Sequence, residues 1–352
     1  MKNSWLWKME LHPKFKLNGT SYDATGLIGH AKTLCLASDY RKDIGRFLLD
    51  WFDPHPELLV QTSGSTGTPK TIPLEKRNMV NSALATGEHF KLPSGTSALL
   101  CLSANHIAGK MMLVRAMVLG WELDHVTVGS QPLSETGKRY GFSAMVPLQA
   151  FHSIDQLNRL DKLIIGGGRV SAELANRLGS VSTEIHETYG MTETITHIAT
   201  KPLGALQFKT LPQVTVSKDQ RGCLVVDAPH LAHDPIVTND LVALEGNTGF
   251  QWLGRYDNII NSGGVKLIPE QIERKLTGLI SNRYFIAGVP DAGLGEKVVL
   301  LVEGEWDGPI AEQHYDQAGL SKYEIPKAII VLYRFVETAS GKIARKATME
   351  RL

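Results

Sequence analysis

Ten consecutive residues, Gln61-Thr62-Ser63-Gly64-Ser65-Thr66-Gly67-Thr68-Pro69-Lys70, combine hydroxyls, two glycines and a lysine in a way that few structural roles require. Gripping a polyphosphate does require it. Glycines let the backbone come close to phosphate oxygens, successive N–H groups form an anion-binding nest, and hydroxyls and Lys70 add donors and charge. Further along lies Tyr189-Gly190-Met191-Thr192-Glu193, which sets an aromatic face, a hydroxyl and a carboxylate within five positions. Taken alone, a Gly/Ser/Thr-rich stretch is more often a solvent loop, and Glu193 a helix-start carboxylate.

The first segment is not a Walker loop. That pattern needs Gly-Lys followed by Ser or Thr. Here Pro69 precedes Lys70, and none of Gly109-Lys110, Gly137-Lys138 and Gly341-Lys342 is followed by Ser or Thr. The chain has 352 residues, 43% hydrophobic and 21% charged, with a formal charge of +1. That is enough for a large core and more than one domain, with no basic excess to suggest nucleic acid or an anionic membrane as partner. Cys35, Cys101 and Cys223 form no Cys-x-x-Cys pair, so neither a zinc site nor a disulfide framework is expected. The N-terminus lacks the apolar core of a signal peptide, and no apolar run is long enough to span a membrane. A cytoplasmic protein is expected.

The phosphate segment needs a strand before it, Leu58-Leu59-Val60, and the spacing predicts a helix over 74–90 after it. Strands near 97–102 and 162–165 alternate with helices near 109–119 and 171–178, Ser171 being the N-cap and Gly166-Gly167-Gly168 closing a strand. Such alternation predicts a layered α/β domain. The stretch 207–253 is rich in β-branched residues and turns. Beyond Gly254-Arg255-Tyr256-Asp257 the pattern changes to a compact α+β unit. The expected domains are therefore 1–254, large and α/β with a β-rich piece, and 255–352, small and mobile.

In order and in spacing these motifs resemble the adenylate-forming superfamily of acyl-CoA synthetases, luciferases and peptide-synthetase adenylation domains. The resemblance runs from about Leu58 to Lys346. It takes in the two segments above, Thr238-Asn239-Asp240, Gly254-Arg255-Tyr256-Asp257, Ser262-Gly263-Gly264, Pro269-Glu270-Gln271-Ile272-Glu273, Gly288-Val289-Pro290-Asp291 and Ala339-Ser340-Gly341-Lys342-Ile343. It implies ATP, Mg²⁺ and coenzyme A, and two half-reactions, adenylation of a carboxylate and then transfer to a thiol. By resemblance, Thr62, Ser63, Gly64, Ser65, Thr66, Gly67, Thr68 and Lys70 hold the β- and γ-phosphates, and Tyr189 stacks on adenine. Thr192 contacts the α-phosphate and Glu193 holds Mg²⁺. Asp240 and Arg255 bind the ribose, Asp257 is the hinge, and Lys342 is the adenylation lysine. Gly166, Gly167 and Gly168 lie close to adenine or acyl group. Gly263 and Gly264 let the pantetheine arm pass.

Two residues depart from the family pattern: Thr71 and Asn239 stand where glycine is usual. Only about 57 residues precede the phosphate strand, fewer than typical members carry. The segment 103–109 holds Asn105 and His106 and no acid, which argues against an amino-acid substrate. Gly190 replaces a bulky residue of small-acid synthetases, implying a pocket for a ring or long chain, with His106 as a lining or core residue. Lys110 and Arg115 are read as solvated, or else as partners of a second substrate carboxylate. The short length and the Asn-His-Ile-Ala-Gly segment resemble the o-succinylbenzoate–CoA ligases of menaquinone biosynthesis. A CoA ligase for another aryl or medium-chain acid, transfer to a carrier protein, and a non-catalytic nucleotide binder stay open, as does a homodimer.

Overall fold

A computed structural model describes residues 11–61, 70–306, 312–338 and 342–352. The protein is α/β, and its described residues divide into two compact units, the first comprising residues 11–61, 70–214 and 228–234, the second the other described residues.

In the first unit the strands Glu184–Gly190, Leu160–Ile165, Tyr140–Met145, Ser97–Leu100, Glu122–His125 and Lys16–Leu17 lie side by side and parallel. Parallel strands are covered on both faces, so they read as near-continuous apolar runs. Leu163, Ile164 and Ile165 are accordingly all buried. His197–Pro202 joins this sheet antiparallel to Glu184–Gly190, and Phe208–Thr210 joins antiparallel to His197–Pro202. The helix Ile107–Leu119 is buried at Gly109 and from Met111 through Met117, a sequence apolar on every side apart from Lys110 and Arg115. Gly120, left-handed at φ 71°, stops it. The helices Ala24–Cys35 and Arg41–Phe52 pack on one another. Neither was anticipated, because their apolar residues are interrupted by charges. Gly45 makes the contact close, as a β-carbon there would lie 2.6 Å from the Ala31 carbonyl.

In the second unit the strands Thr215–Lys218, Cys223–Asp227, Ile236–Glu245 and Gly249–Arg255 form an antiparallel run. A smaller sheet holds Val265–Leu267, Ile260–Ser262, Gly295–Glu303, Tyr284–Asp291 and Ala328–Leu332. Its core is formed by Ile260, Ile272, Leu276, Ile286, Leu300 and their neighbours. The helix Pro269–Lys275 starts with proline at its first turn, where a missing N–H costs nothing.

Glu270 and Glu273 of that helix are nevertheless buried, at 4% and 8% exposure. Arg345 serves both, 2.7 Å from Glu273 and 3.9 Å from Glu270. Burial pushes the Glu270 carboxyl above its usual range, with Arg345 and the Asn258 amide opposing that rise. Replacing Arg345 by methionine leaves two buried carboxylates without their cation. Thermal unfolding should show a loss on the order of 3 kcal/mol, recovered in part as pH falls and the acids protonate.

Candidate active site

The strands Glu57–Gln61 and Thr71–Glu75 pair antiparallel, with Gln61 opposite Thr71 and Leu58 opposite Leu74. Residues 62–69 join them, so the expected contacts of Thr62, Ser63, Gly64, Ser65, Thr66, Gly67 and Thr68 lie outside the described residues. Lys70 is exposed at the entrance to the second strand. The helix expected over 74–90 begins instead at Lys76. Ile72 and Leu74 alternate with exposed Thr71 and Pro73, a strand pattern that continues through Leu74 and Glu75, the first two residues of the expected helix. Thr71, in extended backbone, does not need to be glycine.

Gly166, Gly167 and Gly168 follow the strand Leu160–Ile165. A β-carbon on Gly166 would meet the Thr188 hydroxyl at 2.5 Å, and Gly167 is left-handed at φ 76°. Gly168 has only ordinary contacts. Ser171 caps the helix Ala172–Leu178, accepting from the Leu174 N–H as expected.

Tyr189 and Gly190 end their strand, and a short loop carries Met191 to Thr196 before His197 starts the next. Thr194 organises this loop, its hydroxyl bonding the Met191 N–H at 2.9 Å and the Thr196 carbonyl at 2.7 Å. Ile195 is left-handed at φ 66°, a strained conformation for a β-branched residue that costs about 1–3 kcal/mol. Thr192 is buried at the turn and Glu193 points to solvent. Tyr189 is half-buried, its ring 5.9 Å from that of Phe208. The donor set suits a magnesium nucleotide, with an exposed carboxylate beside a hydroxyl and an aromatic face. Among the described residues no group of three His, Cys, Asp or Glu is arranged to hold a metal.

Gly190 was expected to open space for an acid. Packing accounts for the glycine, because a β-carbon would lie 2.2 Å from the Thr196 carbonyl and 2.5 Å from the His197 α-carbon. Gly190→Ala must therefore displace the start of the His197–Pro202 strand. A stability loss of about 1–3 kcal/mol is expected in chemical denaturation, with adenylation activity falling alongside.

Arg115, read as a solvated charge, is 1% exposed. Its Nε donates to Thr86 Oγ1 at 3.3 Å, and its Nη2 to Thr196 Oγ1 at 3.0 Å and His197 Nδ1 at 3.4 Å. Among the described residues Nη1 has only the Met112 sulfur, a weak acceptor, at 3.8 Å. No carboxylate pairs with it among the described residues, and burial pulls its proton affinity down. His197 is buried, and burial followed by the Arg115 charge holds its imidazole neutral. The charge on Arg115 was legible in the sequence. Its burial was not, because one arginine in an apolar helix can point either way. Lys110, half-buried, sits 5.3 Å above the Phe47 ring, and burial lowers its pKa. His106 is exposed at the helix start, and Asn105 donates to Asp43 at 2.6 Å.

In the second unit Asp240 and Arg255 face each other across paired strands. Asp240 accepts from the Trp252 indole at 3.1 Å and lies 3.6 Å from the Arg255 guanidinium, which also holds Asp257 at 2.8 Å. Asn239 donates to Asp257 and accepts from Arg221 at 2.8 Å. The amide thus joins two charged groups, work that a glycine there could not do. Arg221, over the Tyr256 ring, is a member of this network missed in the sequence because no motif contains it. Gly263 and Gly264, at φ 57° and 80°, make the two-residue turn between Ile260–Ser262 and Val265–Leu267. Lys342 is half-buried, and burial lowers its pKa. Its N–H donates to Thr338 Oγ1 at 3.2 Å, and Glu337 bridges to Ile343 beside it.

The model of the AMP-binding enzyme family matches residues 52–235, and the chain belongs to that family. It is similar to the 2-succinylbenzoate–CoA ligase of Enterococcus faecalis, 25% identical over 335 residues covering 83% of this chain and 68% of the relative. The probable 2-succinylbenzoate–CoA ligase of Mycobacterium tuberculosis is 28% identical over 329 residues, covering 85% of each. Among solved structures, an acyl-CoA synthetase (AMP-forming)/AMP-acid ligase II-like protein from Dyadobacter fermentans is 36% identical. It superposes with a TM-score of 0.61 over 91% of this chain and 97% of its own. The O-succinylbenzoate coenzyme A synthetase of Bacillus subtilis, solved with ATP and magnesium ion, shares the fold with a TM-score of 0.73. It is 21% identical, over 83% of this chain and 69% of its own. No described helix is long and apolar enough to cross a membrane.

Proposed function

We propose that the protein is an ATP-dependent carboxylate–CoA ligase acting on o-succinylbenzoate, a step of menaquinone biosynthesis. The observation that carries this reading is Arg115, a buried cation with no acid partner among the described residues. Burying a guanidinium unpaired is costly, and a carboxylate is the group that relieves the cost. o-Succinylbenzoate has two carboxylates, one to be activated and one to be held. The names of the curated relatives agree with this substrate.

In the first half-reaction a carboxylate oxygen attacks the α-phosphorus of ATP. A new P–O bond forms as the bond to pyrophosphate breaks. The nucleophile is ionised at neutral pH and needs no base, so the barrier lies in bringing negative charges together. Lys342 supplies positive charge there, and the Thr192 hydroxyl donates to an α-phosphate oxygen. Glu193 holds Mg²⁺, whose chemistry is to neutralise phosphate charge. Residues 62–68 and Lys70 hold the outer phosphates, Tyr189 stacks on adenine beside Gly166 to Gly168, and Asp240 with Arg255 fixes the ribose. His106 and the backbone of Gly190 lie on the acyl side. In the second half-reaction the CoA thiol, passing Gly263 and Gly264, forms a C–S bond at the acyl carbonyl, and AMP leaves. Asp257 is the hinge at which residues 255–352 turn between the two steps.

The test is AMP release with MgATP, CoA and a panel of acids led by o-succinylbenzoate. Preference for that acid supports the whole reading. Turnover only with monocarboxylic acids keeps the ligase and removes the substrate. AMP release only with a phosphopantetheinylated carrier removes CoA as acceptor.

A further inference from the structure

The loop that carries Thr192 and Glu193 ends at Thr196, and Thr196 with His197, the first residue of the next strand, accepts hydrogen bonds from Arg115. Thr196 Oγ1 and His197 Nδ1 both accept from the same guanidinium nitrogen, Nη2. Their backbone lies against Gly190 so closely that no β-carbon fits between them. Thr194 closes the loop from within, joining Met191 to Thr196. His197 is seated against the Phe90 ring at 6.1 Å, and the same ring meets His186 at 5.2 Å. Among the described residues each of these histidines has a buried ring nitrogen with no hydrogen-bond partner, Nε2 in His197 and Nδ1 in His186.

We propose that Thr196 and His197 are positioning residues, which aim the Arg115 guanidinium at the second carboxylate of the acid and set it in register with Thr192 and Glu193. This rests on the reading of Arg115 given above. A neutral imidazole is the form that can do it, since Nδ1 must keep its lone pair toward the cation. The charged and titratable groups around it are Arg115 from the Ile107–Leu119 helix and His89 from the Lys76–His89 helix, both opposing protonation of His197. Acid selection and phosphate chemistry are then placed by one seven-residue stretch, 191–197. A dicarboxylic acid seated at Arg115 presents its other carboxylate to a loop already fixed by the same contacts.

The experiment compares kcat/KM for o-succinylbenzoate with that for benzoylpropionate, the same skeleton without the ring carboxylate. The proteins are the wild type, His197→Leu, His197→Asn and Thr196→Val, each with its unfolding midpoint measured. The wild type should prefer o-succinylbenzoate. His197→Leu should lower that preference about tenfold or more, through KM for the dicarboxylic acid, because a hydrogen bond to a charged group is lost. Asparagine places an amide oxygen near the Nδ1 position and should restore most of the preference. Thr196→Val, which removes one hydroxyl with little change of shape, carries the same test if His197→Leu does not fold. Preference retained in both His197→Leu and Thr196→Val overturns the positioning role while the substrate reading stands. No preference in the wild type overturns the reading of Arg115 itself. Equal loss on both acids, with a lowered unfolding midpoint and no rescue by asparagine, assigns His197 to packing alone.

Discussion

Replacing Arg115 by leucine should cut kcat/KM for o-succinylbenzoate by about a hundredfold or more, while leaving the fold as stable as before or more so. The two halves of this expectation come from one fact. The guanidinium is fully buried with two hydroxyls, an imidazole and a thioether around it, and no carboxylate among the described residues. A cation in that setting opposes folding, and a well-packed apolar side chain in its place is often neutral or stabilising. A bound second carboxylate reverses the balance, since a charge pair formed away from water is worth about 2–5 kcal/mol when one partner is removed. A structural arginine would behave in the opposite way, losing stability on substitution and affecting all acids alike. Thermal unfolding of the two proteins with and without o-succinylbenzoate separates the cases. The acid should raise the midpoint of the wild type and leave that of Arg115→Leu nearly unmoved.

Lys342→Ala should abolish most adenylation, by about a hundred- to a thousandfold in rate, the typical cost of removing one preorganised electrostatic stabiliser. Thioester formation from supplied acyl-adenylate should be largely spared, because by then the phosphorus chemistry is over. Pyrophosphate exchange measures the first step and thioester release the second. Equal loss in both would remove the assigned role. The pH dependence has a definite sign. Burial lowers the pKa of Lys342, so its positive charge is lost at a lower pH than that of an ordinary lysine. Adenylation should decline as pH rises through that lowered value, and in Lys342→Ala this alkaline limb should vanish.

The class of enzyme was legible because its motifs are local. Thr238-Asn239-Asp240 and Arg255-Tyr256-Asp257 are short runs, and a strand pairing with Asp240 opposite Arg255 brings them together. Ser171 announced its helix by the side-chain oxygen that caps it. What could not be read was set by distant contacts. Whether Arg115 is buried depends on Thr86, Thr196 and His197, all remote in sequence. Gly190 looked like a gap for substrate, and only the neighbouring strand shows that backbone fills it. Leu74 and Glu75, the end of the strand Thr71–Glu75, were assigned to the helix after it because the two abut without a turn residue between them.

The contact between Gly190 and Thr196 has a bearing on how such an enzyme can change its diet. A bulky residue at position 190 would push the Thr196 carbonyl and His197 aside. The same push would disturb the groups that hold Arg115. Trading a large dicarboxylic acid for a small one is thus not a matter of one substitution. Residues 190, 196, 197 and 115 have to be exchanged as a set, by a breeder of new ligases as much as by natural drift.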